Sequence, residues 1–177
     1  MRRSHIERVE TSERLMFDAT EALILELGTS KTTLKEVGER AGYSRGLAHA
    51  RFGSKETLFN RLADRCLDTW IQQVREAAGE KQGLAALLSR FEAIDTYVKC
   101  FPNDARVMYI LWFESVGSPS SMKSELSHFH ELARTDIARL VDKAKQLGEI
   151  AADLDAKEFS EHFTSALFGL SYQWVVN

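Results

Sequence analysis

Residues 32–59, TTLKEVGERAGYSRGLAHARFGSKETLF, restrict the fold of this chain more than any other stretch. Thr33 and Glu36 stand three apart just before the apolar Val37, the spacing of a capping box, so a short helix is predicted to start there. Gly42 ends it, and Ser44 is placed to cap a second helix over about 45–51. Ser54, followed by Lys55 and Glu56, starts a third and longer one. Gly38 and Ala41 are small where the two short helices must cross, and Gly42 tolerates the positive φ that a tight turn between them needs. Val37, Tyr43 and Ala48 supply the apolar contacts that hold the second helix on the first. Two short helices joined in this way form a helix-turn-helix, a unit suited to lay its second helix in the DNA major groove.

The remainder of the 177 residues also reads as helix. Only two prolines occur and strand-like alternation is scarce, while a 44% apolar fraction suffices for a sizeable core. A first helix over about 8–27 carries Leu15, Ala19, Ala22 and Leu23 on one face, and Gly28 is placed to end it. The helix starting at Ser54 is predicted to run to about Ala78 with Leu58, Leu62, Cys66 and Trp70 in register, and Gly79 and Gly83 break it. Further helices are predicted over 84–100, over 102–115 with Pro102 in the first turn, from Ser118 and Pro119 to Leu147, and from Asp155 onward. The expected fold is all-α: an N-terminal helix-turn-helix domain over 1–57 and a C-terminal helical domain over 58–177. The boundary falls inside one long helix, which makes a rigid connector. The last helix still has its apolar spacing at Asn177, so the natural chain is expected to continue.

Charge supports the division modestly. Net charge is −3, but residues 1–61 carry 11 Lys+Arg against 9 Asp+Glu, and the acidic excess lies in the remainder. Only nearby charges count at physiological salt, so an acidic total is compatible with a basic surface. MRRSHIERVE lacks the apolar run of a signal peptide, and no stretch of 18 apolar residues occurs. Cys66 and Cys100 therefore read as reduced core thiols of a cytoplasmic protein.

Within the motif, Ser44, Arg45, Gly46 and Leu47 open the second helix and are expected to face base edges and phosphates. Arg45 can bind a guanine bidentately, which discriminates by about 1–3 kcal/mol, and Gly46 lets the backbone lie close to DNA. Arg40, Arg45, Arg51 and Lys55 gather around the turn. A competing reading is a helical protein-interaction module without specific DNA binding, in which these cations, interleaved with Glu36, Glu39 and Glu56, form a solvated face.

The segments LELGTSKTTL, KEVGERAGYS and RGLAHARFGSKETLF, closing on Phe52, Ser54, Lys55 and Glu56, resemble the N-terminal domain of the tetracycline-repressor (TetR) family. The resemblance implies that the helix at 45–51 reads the major groove and that Lys55 touches a phosphate. With Thr33, His49 and Arg51, these residues complete the expected DNA-binding set. His49 stands where the family often has a tyrosine, Arg51 replaces a common aromatic or histidine, and Ala48 and Ala50 are smaller than usual. The resemblance further implies a homodimer on a palindromic operator and a C-terminal part that binds a small effector, apolar or aromatic by its expected lining, so that the protein acts as a ligand-responsive repressor. Two-fold symmetry would set two recognition helices ~34 Å apart.

The aromatic-rich middle helices suit either a ligand pocket or an ordinary bundle core. The pocket candidates are Trp70, Phe91, Tyr97, Phe101, Met108, Trp112 and Phe113, with Asp95 or Glu114 as an orienting polar group. Phe159, Phe163, Leu167, Leu170 and Trp174 form an apolar stripe on the last helix, FTSALFGLSYQWVV, and are the expected dimer contacts. Catalysis finds no support. HExxH, CxxC, GxSxG and phosphate-loop motifs do not occur, and His128 and His130 are two apart on a helix and diverge. No metal and no cofactor is expected.

Overall fold

The computed structural model describes residues 5–117 and 120–177. Among them the chain is helical throughout: α1 (His5–Leu27), a 3-10 turn (Thr29–Lys31), α2 (Leu34–Arg40), α3 (Arg45–Phe52), α4 (Lys55–Ala78), α5 (Gly83–Cys100), α6 (Pro102–Val116), α7 (Ser121–Gln146) and α8 (Ala156–Val176). Ser118 and Pro119, expected to open the seventh helix, lie outside the described residues. The helix itself starts after Ser120, whose hydroxyl accepts from Lys123 N at 3.2 Å.

The local signals act where the sequence puts them. Thr33 and Glu36 form a reciprocal capping box, Ser44 caps α3 through Leu47 N, and Ser54 caps α4 through Thr57 N. Each such cap is worth about 0.5–2 kcal/mol. Gly42 has φ +78°, and behind it Tyr43 N donates to Gly38 O at 2.8 Å, which folds the chain back from α2 into α3. A Cβ on Gly38 would lie 2.9 Å from Ser44 O, so the close approach of α2 to the turn excludes any side chain there.

α1, α2 and α3 pack together, and α1 also packs on α6. α4 runs on from this unit and packs against α5 and α6. α5 then meets α7 and α8, which lie against each other. The largest core cluster joins Met16, Phe17 and Ile24 of α1, Val37 of α2 and Phe52 of α3 to Leu58 and Leu62 of α4, then to Val107, Leu111 and Trp112 of α6 and Met122 of α7. Apolar packing thus continues across residue 57, where a boundary was expected, and α4 is unbroken through it. Two smaller clusters hold α5 to α7 and α8. Cys66 is buried in the core, and burial pushes its thiol pKa up. Cys100, expected in the core, is exposed because it falls on the outward side of the last turn of α5.

Candidate nucleic-acid interface and interior cavity

α3 buries Ala48 and Phe52 against α1, α2 and α4, which turns the opposite side of the helix to solvent. At a 3.6-residue period that outward ridge is formed by Gly46 and Ala50, both exposed. A Cβ on Gly46 would meet only Ser44 Oγ, at 3.7 Å, so packing within the protein does not require a glycine there. The expected contact residues fall on the two flanks of the ridge. Arg45 and His49 share a groove with Thr33, Lys35 and Lys55. Leu47 and Arg51 share another with Arg8, Thr11 and Tyr43. The outcome is a helix with little bulk at its crest and cations on both sides.

Two of the four cations gathered around the turn are differently placed than the sequence suggests. Arg40 makes a two-pronged ion pair with Glu26, Nη1 to Oε2 at 2.6 Å, so its charge is already matched. Lys55 Nζ donates to Thr29 O at 2.6 Å and to Ser30 O at 3.4 Å, and stands 5.3 Å from the Phe59 ring centre. It fastens the start of α4 to the turn after α1. Arg45 and His49 are exposed.

The bundle holds a partly open cavity of about 130 Å³ between α4, α5, α6, α7 and α8. Of the seven residues expected there, Trp70, Tyr97, Met108 and Trp112 line it. Phe91, Phe101 and Phe113 do not. Phe113 is largely exposed, and Phe91, partly exposed, instead packs edge-on to Phe163. Phe101 caps α5 and packs on Tyr97 from the side away from the cavity lining. Helical phase explains this: all are large and apolar in character, but only those facing the common interior can reach the space.

The expected polar groups are also elsewhere. Asp95 pairs with Lys99 on the surface, and Glu114 accepts from Thr29 Oγ1. The polar lining is instead Arg90, Asp136, Tyr109, Thr164 and Ser171. Arg90 is buried, and its Nη2 donates to Asp136 Oδ2 at 2.5 Å. Tyr109 OH donates to Phe168 O at 2.9 Å. A sequence signal for part of this set exists: Ser160, Thr164 and Ser171 recur at i, i+4 and i+11, small polar residues flanking Leu167 on the buried side of α8. His130 packs 4.9 Å from the Phe168 ring, and burial, helped by Arg134, lowers its pKa.

α6 connects the two regions. Met108, Tyr109 and Trp112 line the cavity, and two residues past Trp112 the Glu114 carboxylate holds Thr29 in the turn that Lys55 also grips. Nearby, Arg65 of α4 donates to Asp18 at 2.9 Å and Glu21 at 2.7 Å, with Asp104 of α6 at 3.9 Å. Burial first and the Asp104 charge second push the Glu21 pKa up to about 7, against the pull of Arg65.

The stripe on α8 is mostly spent inside the subunit. Leu167 is buried, Phe159 and Phe163 pack on the α5–α7 cluster, and Trp174 packs on Ile94 and Val98 while Arg106 lies over its ring. Of the five residues expected at a dimer contact, only Leu170 is largely exposed, at 49%. Among the described residues, no group of three His, Cys, Asp or Glu is placed to hold a metal ion, and no helix is long and apolar enough to cross a membrane.

Residues 16–62 match the family model of the bacterial regulatory proteins of the tetR family. The uncharacterized HTH-type transcriptional regulator YfiR of Bacillus subtilis (strain 168) is 21% identical over 134 residues, 76% of this chain but only 65% of that protein. The HTH-type transcriptional repressor BepR of Brucella suis biovar 1 (strain 1330) is 23% identical over 99% of this chain and 85% of its own length. In three dimensions the chain is similar to SmeT of Stenotrophomonas maltophilia in its triclosan complex, with a TM-score of 0.73 at 21% identity, covering 94% of this chain and 81% of that one. The helix-turn-helix is thus of the kind found in bacterial DNA-binding regulatory proteins, and an all-helical second part is joined to it. Over residues 16–62 the chain is similar to the tetR family of bacterial regulatory proteins.

Proposed function

We propose that the protein is a ligand-responsive repressor that binds an inverted-repeat operator as a homodimer and releases it when a small molecule fills the bundle cavity. The observation that carries this reading is the course of α6, which lines the cavity with Met108, Tyr109 and Trp112 and two residues later holds Thr29 beside the recognition unit through Glu114. SmeT, similar in fold, is the repressor of a multidrug efflux pump and forms a triclosan complex; BepR is a repressor.

In this reading the α3 ridge of Gly46 and Ala50 seats in the major groove, with Ser44 and Leu47 at its leading end. Arg45 reads a guanine, while Thr33, His49, Arg51 and Lys55 meet phosphates. Lys55 does so by exchanging the Thr29 carbonyl for a phosphate oxygen, a stronger, charge-assisted partner. The domain division at residue 57 separates the DNA-contacting surface from the sensing part, although packing is shared across it. Self-association uses the outward side of α8, Ala166, Gly169, Leu170 and Gln173, rather than the inward stripe. An effector favours the conformation that it fills, and operator affinity falls by the effector's differential affinity for the two states and by no more.

The test is selection from a random double-stranded DNA library at physiological salt, followed by sequencing of the bound pool. An inverted repeat with half-sites about one helical turn apart supports the reading. A folded protein that enriches no sequence refutes it in favour of a protein-interaction module.

A further inference from the structure

We infer that the bundle cavity takes a neutral, single-ring aromatic molecule bearing one hydroxyl, and that Thr164 is the residue that selects it. The inference rests on the reading of this cavity as the effector site and goes further by naming the chemistry of the effector.

Size gives the first constraint. A cavity of about 150 Å³ with apolar walls holds one benzene ring, and this one is about 130 Å³. One ring fills it, and a second must extend out through the mouth or displace the walls. Trp70, Tyr97, Met108, Trp112, Leu167 and Phe168 make most of those walls, so the faces and edges of an aromatic ring find partners on every side.

Charge gives the second. Arg90 is spent on Asp136 at 2.5 Å and on Val74 O at 3.4 Å, and the other Asp136 oxygen accepts from Arg139 at 2.7 Å. An anion must compete with Asp136 for Arg90, and a cation must compete with two guanidinium groups for Asp136. A neutral molecule disturbs neither. Arg90 also borders a wider groove on the outside of α5 and α7, so this pair stands at the mouth rather than the centre of the site.

Thr164 gives the third. A helical threonine ordinarily donates back to the carbonyl four residues earlier, as Thr20 does to Met16 O at 2.6 Å and Thr69 to Arg65 O at 3.0 Å. Thr164 does not. Its Oγ1 is buried on the cavity wall with no partner, and the residue is 5% exposed. A buried hydroxyl left unpaired is costly. A ligand hydroxyl in the cavity supplies the missing bond, as donor or acceptor.

The experiment is calorimetric titration of the full chain with phenol, toluene and benzoate, repeated on Thr164→Val and Thr164→Ser, with folding checked by thermal denaturation. Phenol is expected to bind about three- to tenfold more tightly than toluene, the range of one net hydrogen bond, and benzoate more weakly than both. Thr164→Val removes the preference for phenol and leaves toluene within about twofold, while Thr164→Ser retains the preference. Equal binding of phenol and toluene to the wild type, a preference that survives Thr164→Val, or tighter binding of benzoate overturns the inference and leaves the cavity standing as an effector site of other chemistry. If no probe binds, the inference also fails; operator release by a larger compound would then still support the effector-site reading, and release by none in a chemical library would end that too.

Discussion

The recognition unit, α1 to α3, and the bundle, α5 to α8, are both helical, yet they are specified in different ways. In the first, single residues have single jobs. Ser44 caps, Gly42 turns at φ +78°, and Gly38 makes room for the Ser44 carbonyl. In the second, aromatic and aliphatic residues are interchangeable over a wide range of roles, and their positions are set by the mutual rotation of these four helices and α4. A unit of the first kind presents one fixed surface. A unit of the second kind keeps a small void and a polar group without a partner, Thr164.

Substitutions can break this contrast. The largest effect is expected at Gly38. Gly38→Ala sets a methyl 2.9 Å from the Ser44 carbonyl oxygen and should destabilise the unit by about 1–3 kcal/mol. Operator binding should fall with it, as thermal denaturation and fluorescence anisotropy would show together. Arg45→Ala is expected to leave stability unchanged and to cost about 1–3 kcal/mol at one base pair of each half-site. Uniform weakening across all sequences in a competition assay would instead make Arg45 a phosphate contact.

Gly46 separates fold from function most cleanly. Gly46→Ala meets only Ser44 Oγ at 3.7 Å and should raise helix stability by up to about 1 kcal/mol, while operator affinity drops because the ridge no longer fits the groove. Unimpaired binding by this variant would contradict the placement of the α3 crest against DNA. Lys55→Ala should weaken binding to every sequence alike and lower the slope of log affinity against log salt by about one.

The smallest effect is a pH dependence at the junction of the two regions. Glu21 has its pKa raised from 4.5 to about 7, by burial and then by Asp104. The folded state therefore holds a proton that the unfolded state loses between those values. The stability from this group is complete below about 4.5 and is lost as pH rises through about 7. Glu21→Gln removes that loss, so the melting temperature of the variant relative to wild type should climb between pH 5 and pH 8. A difference that stays flat over this range would place the Glu21 titration elsewhere.

What the sequence discloses follows the same division. Each helix of the recognition unit could be bounded from caps and glycines alone, because those signals act within four residues of one another. The bundle helices were equally legible as helices, Pro102, Gly148 and Asp155 marking their ends. Their rotation was not. Phe91, Phe101 and Phe113 are as aromatic as Trp70, Tyr97 and Trp112, and nothing local says which of them faces the void. The α8 stripe is ambiguous for the same reason, since Phe159, Phe163, Leu167 and Trp174 would suit a partner subunit as well as they suit α5 and α7. Arg40 falls near the turn in sequence, but its partner, Glu26, is 14 residues away on another helix, and no local signal pairs them.

The central claim is that the cavity and the α3 surface share one free-energy balance through α6. Its most direct test is operator affinity, by anisotropy of a labelled duplex, with and without a saturating compound shown by calorimetry to occupy the cavity, in the wild type and in Glu114→Gln. The expected result is weaker operator binding when the cavity is filled, an equal weakening of compound binding by the operator, and a smaller effect of each on the other in Glu114→Gln. A compound that saturates the cavity and leaves operator affinity unchanged in the wild type would contradict the claim.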